Sequence, residues 1–167
     1  YDDREHFGRR EFHLSEDEVV ALVSRQIEML LTLSRDRGIA VRYVKPHGAL
    51  YNQAARADSV ARAIATAAAN YGLPVMGLPG SALERACERR SGFIPEGFAD
   101  RRYRPDGTLV PRTDPEAFVH DPEEAVRQVE WLIREQGVRT ICVHGDNPQA
   151  VAFARAVRDA LDARGIL

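Results

Sequence analysis

Three short segments carry most of the side chains in this sequence that are suited to chemistry. They read VKPHGALYN from position 44, EGFADRRY from position 96 and VHGDNP from position 143. Together they contain lysine, histidine, aspartate and arginine, the residue types that bind anions, transfer protons or ligate metal ions. These segments are therefore the candidate functional site.

The first segment contains the only lysine of the chain. Of the 23 lysine and arginine residues, 22 are arginine and one is Lys45, which favours a role for a compact point charge that arginine does not fill. His47 is a candidate acid, base or metal ligand. The proline and glycine beside it also suit a plain turn that ends a strand and leaves His47 in solvent. Tyr51 and Asn52 follow in the same predicted short loop.

Charged residues crowd the second segment and the loop that follows it. Asp100 is suited to act as a base, to bind a metal ion or to orient an arginine. Arg101 and Arg112 are suited to clamp a phosphate or carboxylate through bidentate hydrogen bonds. The alternative is a solvated, charged loop whose ion pairs contribute little to stability.

The third segment leads from a predicted strand directly into a helix. Helix N-termini attract anions through their free N–H groups, and His144 and Asp146 are predicted to share a pocket with the polar groups of the other two segments. The alternative is that Asp146 and Asn147 only cap the helix. Histidines and aspartates at strand ends also suit a metal-dependent hydrolase, although the sequence has no pair of histidines four residues apart on a helix.

Helical and strand patterns alternate regularly around these segments. Ser15 and Glu18 form a predicted capping box ahead of apolar residues at helical spacing, and Asp121 followed by Pro122 opens a later helix. The predicted helices cover about 15–37, 55–71, 81–90, 121–136 and 148–164. The predicted strands cover 39–44, 74–78, 92–98 and 138–143, and residues 99–115 form a predicted long loop.

Strands that alternate with helices of about ten or more residues indicate a parallel sheet with crossover helices. In such folds the functional site lies at the carboxyl ends of the strands, which is where the three polar segments begin. The sequence therefore predicts an α/β fold, built as a single domain over residues 1–167.

Composition limits the class of partner and the compartment. The net charge is -2, which gives no broad basic surface for nucleic acid. The sequence has no run of about 18 apolar residues of the kind that spans a membrane. The two cysteines, Cys87 and Cys142, are isolated within apolar segments, which favours a reducing, cytoplasmic compartment over a disulfide framework.

The polar segments also carry a resemblance to a known family. VKPHGALYN, FADRRY followed by DGTLVPR, and ICVHGDNPQAV occur in this order after FGRR near the start. Together they resemble the LamB/YcsF family, known as the A subunit of bacterial 5-oxoprolinase, over essentially the whole chain. The resemblance implies an irregular (β/α) barrel of the glycoside hydrolase and deacetylase type, here a partial barrel of parallel strands with crossover helices.

The resemblance further implies an activity and roles for individual residues. With two partners, the B and C subunits, the family uses ATP, expected with Mg²⁺, and water to open the lactam ring of 5-oxoproline (pyroglutamate) and release glutamate. The implied catalytic residues are Lys45, His47, Asp100, His144 and Asp146. The implied substrate-binding residues are Tyr51, Asn52, Arg101 and Arg112, and the candidate metal ligands are His47, His144 and Asp146.

The sequence departs from the family pattern at its start. Family members begin with an Asp-Leu-Asn-x-Asp-x-Gly-Glu strand and carry a Cys-Gly-x-His-Ala-Gly-Asp motif, and neither occurs here. We therefore expect a domain that lacks the family's N-terminal portion. Two alternatives to a role in 5-oxoprolinase follow: a non-catalytic binding or scaffold remnant, and a metal-dependent, deacetylase-like hydrolase.

Overall fold

The computed structural model describes residues 1–146 and 148–166. The chain folds into two compact units, unit 1 from Tyr1 to Ile94 and unit 2 from Pro95 onward. Each unit contains a hydrophobic core of its own. That residues 1–167 form a single domain stays a prediction.

Helices are the main regular elements of both units. Unit 1 contains, in chain order, a short 3₁₀ helix (Arg4–His6), α1 (Glu16–Arg35), α2 (Gly48–Arg56), α3 (Asp58–Ala69), β1 (Val75–Gly77), α4 (Ala82–Cys87) and the start of β2 (Phe93–Phe98). Unit 2 contains the rest of β2, then α5 (Pro122–Gln136), β3 (Thr140–Cys142) and α6 (Ala150–Ala163). In the described parts of the chain, no helix has both the length and the hydropathy of a membrane span.

Helix α1 begins at the predicted capping box. The Ser15 hydroxyl accepts the Glu18 backbone N–H at 3.3 Å, and the Glu18 carboxylate accepts the Ser15 backbone N–H at 2.7 Å. Two N–H groups that the helix cannot pair internally are thereby satisfied. The helix then packs against α3 through its buried apolar stripe, Val19, Leu22, Val23 and Ile27.

Replacing Ser15 with Ala removes one half of this capping box. We expect the free energy of unfolding of the chain to fall by about 1 kcal/mol, because alanine cannot accept the Glu18 N–H. Urea unfolding followed by circular dichroism measures the change. Ser59, an exposed serine of α3, gives the matched control Ser59→Ala, and equal effects of the two replacements would contradict the assigned role.

Alanine-rich α3 lies at the centre of the unit 1 core. Ile64 and five alanines of this helix have no exposed surface: Ala61, Ala63, Ala65, Ala67 and Ala68. Small side chains allow α1, α2 and α4 to pack closely around α3. Unit 1 is therefore built on this helix rather than on its short strands.

The predicted strand at 39–44 is wrong in extent. Only Val44 pairs, in a parallel bridge with Val75 of β1. Because β1 has only three residues, it cannot support a partner strand as long as 39–44. Ile39 and Tyr43, whose apolar character suggested the strand, are 61% and 49% exposed.

The predicted loop after Lys45 is also wrong, because this segment forms α2. Gly48 supplies a left-handed φ of +62° at the start of the helix. The residues that follow include no proline and no β-branched side chain, so helix propensity prevails. An extended Ala57 separates α2 from α3.

Unit 2 is built from two parallel strands and two helices. β2 and β3 pair in parallel, with Phe98 opposite Cys142 at their carboxyl ends. A Cβ on Gly97 of β2 would lie 2.8 Å from Leu132 of α5, so the glycine allows this helix to pack directly on the strand. Helices α5 and α6 bury their apolar faces in the same core.

These elements confirm an α/β fold with parallel strands and helices. Strands occur within the predicted ranges 74–78, 92–98 and 138–143. Helix α5 begins after Asp121, whose carboxylate accepts backbone N–H groups of the first turn, and ends at Gln136, where Gly137 caps it with a left-handed φ of +63°. Local signals in the sequence therefore suffice for these boundaries.

Candidate functional site

Asp100 and His144 meet because β2 and β3 are in register. Each residue follows its strand by two positions, and the last strand residues, Phe98 and Cys142, lie opposite each other. The His144 backbone N–H donates to Asp100 Oδ2 at 2.8 Å. His144 Nδ1 lies 3.1 Å from Oδ1 and 3.0 Å from Oδ2 of the same carboxylate.

The Asp100 carboxylate fixes the tautomer of His144. Burial raises the pKa of Asp100, but the hydrogen bonds from His144 lower it more, so the pKa lies below its ordinary value and the carboxylate is ionised at neutral pH. An ionised carboxylate only accepts hydrogen bonds, so in the neutral ring Nδ1 carries the proton and Nε2 keeps its lone pair. The pair therefore presents an imidazole nitrogen that can accept a proton.

The Asp100–His144 pair is partly shielded from solvent. The side chains of His144 and Asp100 are 24% and 9% exposed. The ring of Phe98 stacks on the imidazole, with 5.5 Å between centroids and 13° between planes. Partial burial strengthens the charge-assisted hydrogen bonds, while the imidazole stays within reach of a small molecule.

Arg101 and Arg112 both lie against the ring of Phe118. Their guanidinium carbons are 5.2 and 5.4 Å from the ring centroid, within the range of cation–π attraction. Arg101 is 4% exposed and donates to the carbonyls of Ala117 and Val110. Burial lowers the pKa of Arg101, and the nearby charge of Arg112 lowers it further. Arg101 thus connects two parts of the loop that follows β2, at Val110 and at Ala117.

Arg112 is the more accessible of the two arginines. Its side chain is 27% exposed, and its Nη1 group donates to Asp146 Oδ2 at 3.2 Å. Because Asp146 follows His144 closely in the chain, this ion pair anchors Arg112 beside the end of β3. The structure therefore brings Asp100, His144, Arg112 and Asp146 to one region of unit 2.

In unit 1, His47 is held by the loop around Gly8. His47 Nε2 donates to the Phe7 carbonyl at 2.9 Å, which leaves Nδ1 as the accepting nitrogen of the neutral ring. A Cβ on Gly48 would lie 2.4 Å from the Gly8 carbonyl oxygen, and the Ala49 N–H donates to that oxygen at 2.9 Å. The FGRR and KPHG segments thus fit together through their glycines.

The other predicted residues of the first segment differ in accessibility. Lys45 and Asn52 are exposed, and the Asn52 side-chain amide donates to the Gly48 carbonyl at 3.3 Å. Tyr51 is 5% exposed, so its side chain lies in the interior of unit 1. Lys45, His47 and Asn52 therefore lie on the surface of this unit, and Tyr51 lies beneath it.

Gln128 of α5 is a part of the site that the sequence patterns did not single out. Its side chain donates to backbone carbonyls of the segment that carries Asp100. Gln128 lies three residues after the buried Ala125 and four before the buried Leu132, on the buried face of the helix. A polar residue on that face is the one signal in the sequence that marks it.

The two predicted metal ligands of unit 2, His144 and Asp146, contact other protein side chains. Among residues 1–146 and 148–166, no group of three or more His, Cys, Asp and Glu side chains is arranged to hold a metal ion. The candidate ligands His144 and Asp146 are instead engaged with Asp100 and Arg112. Asn147, the predicted cap of the last helix, lies outside the described residues.

Comparison with known proteins identifies the family. The model of the LamB/YcsF family matches residues 1–167. The chain is 45% identical to the 5-oxoprolinase A subunit of Neisseria meningitidis serogroup C over 99% of this chain and 74% of that protein. It is 47% identical to the 5-oxoprolinase A subunit of Methylococcus capsulatus, over 98% of this chain and 69% of that protein.

A solved structure agrees with this similarity. The lactam utilization protein from Thermus thermophilus superimposes with a TM-score of 0.82 and 40% sequence identity, over 95% of this chain and 69% of that chain. Both kinds of similarity extend over nearly all of the chain. The chain belongs to the LamB/YcsF family.

Proposed function

We propose that this chain is the A component of an ATP-dependent 5-oxoprolinase, which opens the lactam of 5-oxoproline to give glutamate. The observation that carries the proposal is the 45% and 47% identity to two proteins named as the A component of 5-oxoprolinase. The likeness to a protein named for lactam utilization supports the same class of substrate. The Asp100–His144 pair supplies a group suited to hydrolysis.

Opening a lactam requires an activated carbonyl and an activated water. Transfer of the γ-phosphoryl group of ATP to the lactam oxygen releases ADP and makes the ring carbon electrophilic. In the proposal, His144 Nε2 accepts a proton from the water whose oxygen bonds to that carbon, and returns it to the ring nitrogen as the C–N bond breaks. Asp100 stabilises the imidazolium in between. A second water hydrolyses the remaining acyl phosphate to glutamate and phosphate.

The anionic groups of both substrates need cationic partners. Arg112 is proposed to bind the carboxylate of 5-oxoproline, because it is accessible and already binds a carboxylate, that of Asp146. Lys45, an exposed cation, is proposed to bind a phosphate oxygen. His47 is proposed as a second acid or base, and Asn52 is proposed to orient the substrate.

Replacing Arg112 with Lys tests its proposed role. Lysine keeps the charge but loses the planar pair of donors, so we expect the KM for 5-oxoproline to rise about 10-fold with little change in kcat. Steady-state glutamate formation by the reconstituted enzyme measures both constants. Arg127→Lys, at an exposed position of α5, is the matched control. An unchanged KM in Arg112→Lys would rule out this contact.

The proposal extends to architecture and assembly. The TM-score of 0.82 to the Thermus thermophilus protein supports an irregular (β/α) barrel of the glycoside hydrolase and deacetylase type. The names of the relatives as subunits support a multi-subunit complex, which we propose to contain the B and C subunits. ATP with Mg²⁺ is the proposed second substrate, and the cytoplasm is the proposed compartment.

Leaving out single components of the reconstituted enzyme tests the proposed function. The chain is mixed with the B and C subunits of its own source, and glutamate formation from 5-oxoproline is measured. We expect glutamate only when the chain, both partners and ATP are present. Glutamate formation that does not depend on the chain would overturn the proposal. ATP-independent hydrolysis that a chelator abolishes would favour the metal-dependent hydrolase instead.

A further inference from the structure

Gln128 connects helix α5 to the segment that carries Asp100. Its side-chain Nε2 lies 2.8 Å from the Phe98 carbonyl oxygen, 2.8 Å from that of Arg101 and 3.4 Å from that of Ala99. Because all three neighbours are acceptors, the amide presents its NH₂ group to them. One uncharged side chain therefore holds carbonyl groups on both sides of Asp100.

The chain around Asp100 bends, and backbone contacts alone support only part of the bend. β2 ends two residues before Asp100, and the chain turns at Ala99 and Asp100. The Asp100 carbonyl accepts the Val119 N–H at 3.0 Å, and the Ala99 N–H donates to the Cys142 carbonyl at 3.0 Å. The side-chain amide of Gln128 binds the carbonyls of Phe98 and Arg101, the residues just before and just after Ala99 and Asp100.

We infer that Gln128 is a positioning residue that sets the location of the Asp100 carboxylate and, through it, the tautomer and orientation of His144. Gln128 acts through the backbone that flanks Asp100. The kinetic consequences of this role rest on the proposed function, whereas the effect on the His144 ring follows from the geometry of the chain alone.

The position requires a neutral donor. A carboxylate at position 128 would face three carbonyl oxygens and repel them, and a methionine of similar length would leave them without this donor. The two replacements differ in one respect, because a protonated glutamic acid regains one O–H donor. Relative to wild type at the same pH, Gln128→Glu is therefore expected to recover as the pH falls, whereas Gln128→Met is not.

Two measurements test the inference. The first is ¹⁵N NMR of the His144 ring in the chain alone, in which both variants are expected to lose part of the Nδ1–H tautomer. The second is steady-state kinetics of the reconstituted enzyme, in which we expect kcat to fall by up to about 10²-fold with a much smaller change in KM. Gln136→Glu, at the exposed end of α5, is the matched control.

The possible outcomes separate this inference from the proposed function. Ring signals in Gln128→Glu and Gln128→Met that match wild type, in folded chains, would overturn the positioning role. So would a loss of kcat that shows no recovery at low pH in Gln128→Glu. If the signals change as expected but the wild-type enzyme forms no glutamate, the positioning role stands and the proposed function fails.

A variant that keeps the amide distinguishes the loss of the donor from misfolding of the chain. Gln128→Asn retains the NH₂ group on a side chain one methylene shorter, so we expect its His144 signals and kcat to lie between those of wild type and Gln128→Met. Circular dichroism and urea unfolding establish that each variant is folded. An asparagine variant no better than the methionine variant would contradict the role of the donor.

Discussion

Replacing His144 with Gln is expected to lower the kcat of glutamate formation by about 10²–10⁴-fold, the usual contribution of a positioned general acid or base. Glutamine is similar in size and can still donate to Asp100, but it has no nitrogen that accepts a proton near neutral pH. The KM for 5-oxoproline is expected to change little, because the proposed substrate-binding residues are Arg112 and Asn52. Steady-state kinetics of the reconstituted enzyme measures both constants.

Asp100→Asn tests the same pair by changing the group that accepts the hydrogen bonds from His144. The backbone N–H and the ring Nδ1–H of His144 both donate to the carboxylate, and asparagine replaces one of the two accepting oxygens with an NH₂ group that donates. We therefore expect the Nδ1–H tautomer to be disfavoured and kcat to fall over the same range of about 10²–10⁴-fold.

Exposed residues of the same types serve as controls for this pair. His13→Gln and Asp159→Asn lie at exposed positions of unit 1 and unit 2, and both are expected to keep the wild-type kcat. If His144→Gln retained more than about a tenth of the wild-type kcat, the loss would be too small for a general base, and another group would have to activate the water.

The largest expected effect on stability comes from Gly48→Ala, which should lower the free energy of unfolding by about 2–5 kcal/mol. Gly48 has a φ of +62°, and a Cβ there would lie 2.4 Å from the Gly8 carbonyl oxygen. The backbone must shift to relieve this contact. The shift would weaken the 2.9 Å hydrogen bond from Ala49 to the same oxygen and displace His47 from the Phe7 carbonyl.

Gly80→Ala separates the cost of the backbone conformation from the cost of the contact. Gly80 also has a positive φ, +71°, but nothing lies within 4 Å of a Cβ built on it. This variant should therefore lose only the conformational part, about 1 kcal/mol. Urea unfolding of both variants gives the difference. Equal losses would show that the contact between the new Cβ at position 48 and the Gly8 carbonyl oxygen adds nothing to the loss of stability.

The pairing of Asp100 with His144 was within reach of sequence reasoning for a definite physical reason. Apolar runs mark the strands that precede both residues, and parallel strands place the residues that follow them at one edge of a sheet. What the sequence leaves open is the register. Phe98 lies opposite Cys142, and a shift by one residue would turn one of the two side chains to the other face.

The different roles of Arg101 and Arg112 were out of reach of such reasoning. Both are arginines in one charged loop, and only the folded loop offers Arg101 the carbonyls of Ala117 and Val110. Gln128 is a similar case, since its three acceptors come together only after the chain bends at Asp100. Long-range contacts, rather than local propensity, decide these roles.

Helix α2 shows the same limit at the level of secondary structure. Its nine residues are too few to form a stable helix in isolation. Leu50 and Ala54 are 5% and 0% exposed in the unit 1 core, and this burial stabilises the helix. The short β1 likewise limits the pairing of the segment before Lys45 to Val44, which no pattern within that segment reveals.

Chemical rescue of His144→Ala in the reconstituted enzyme shows whether the imidazole of His144 is the base. Because the side chain of His144 is 24% exposed, the space left by the imidazole is reachable from solvent, and free imidazole can accept a proton there. We predict that the replacement abolishes most glutamate formation and that added imidazole restores part of it in a saturable manner, while wild type and Asp159→Asn do not respond. A folded, assembled His144→Ala enzyme that no concentration of imidazole or methylimidazole reactivates would contradict the assignment of His144 as the base.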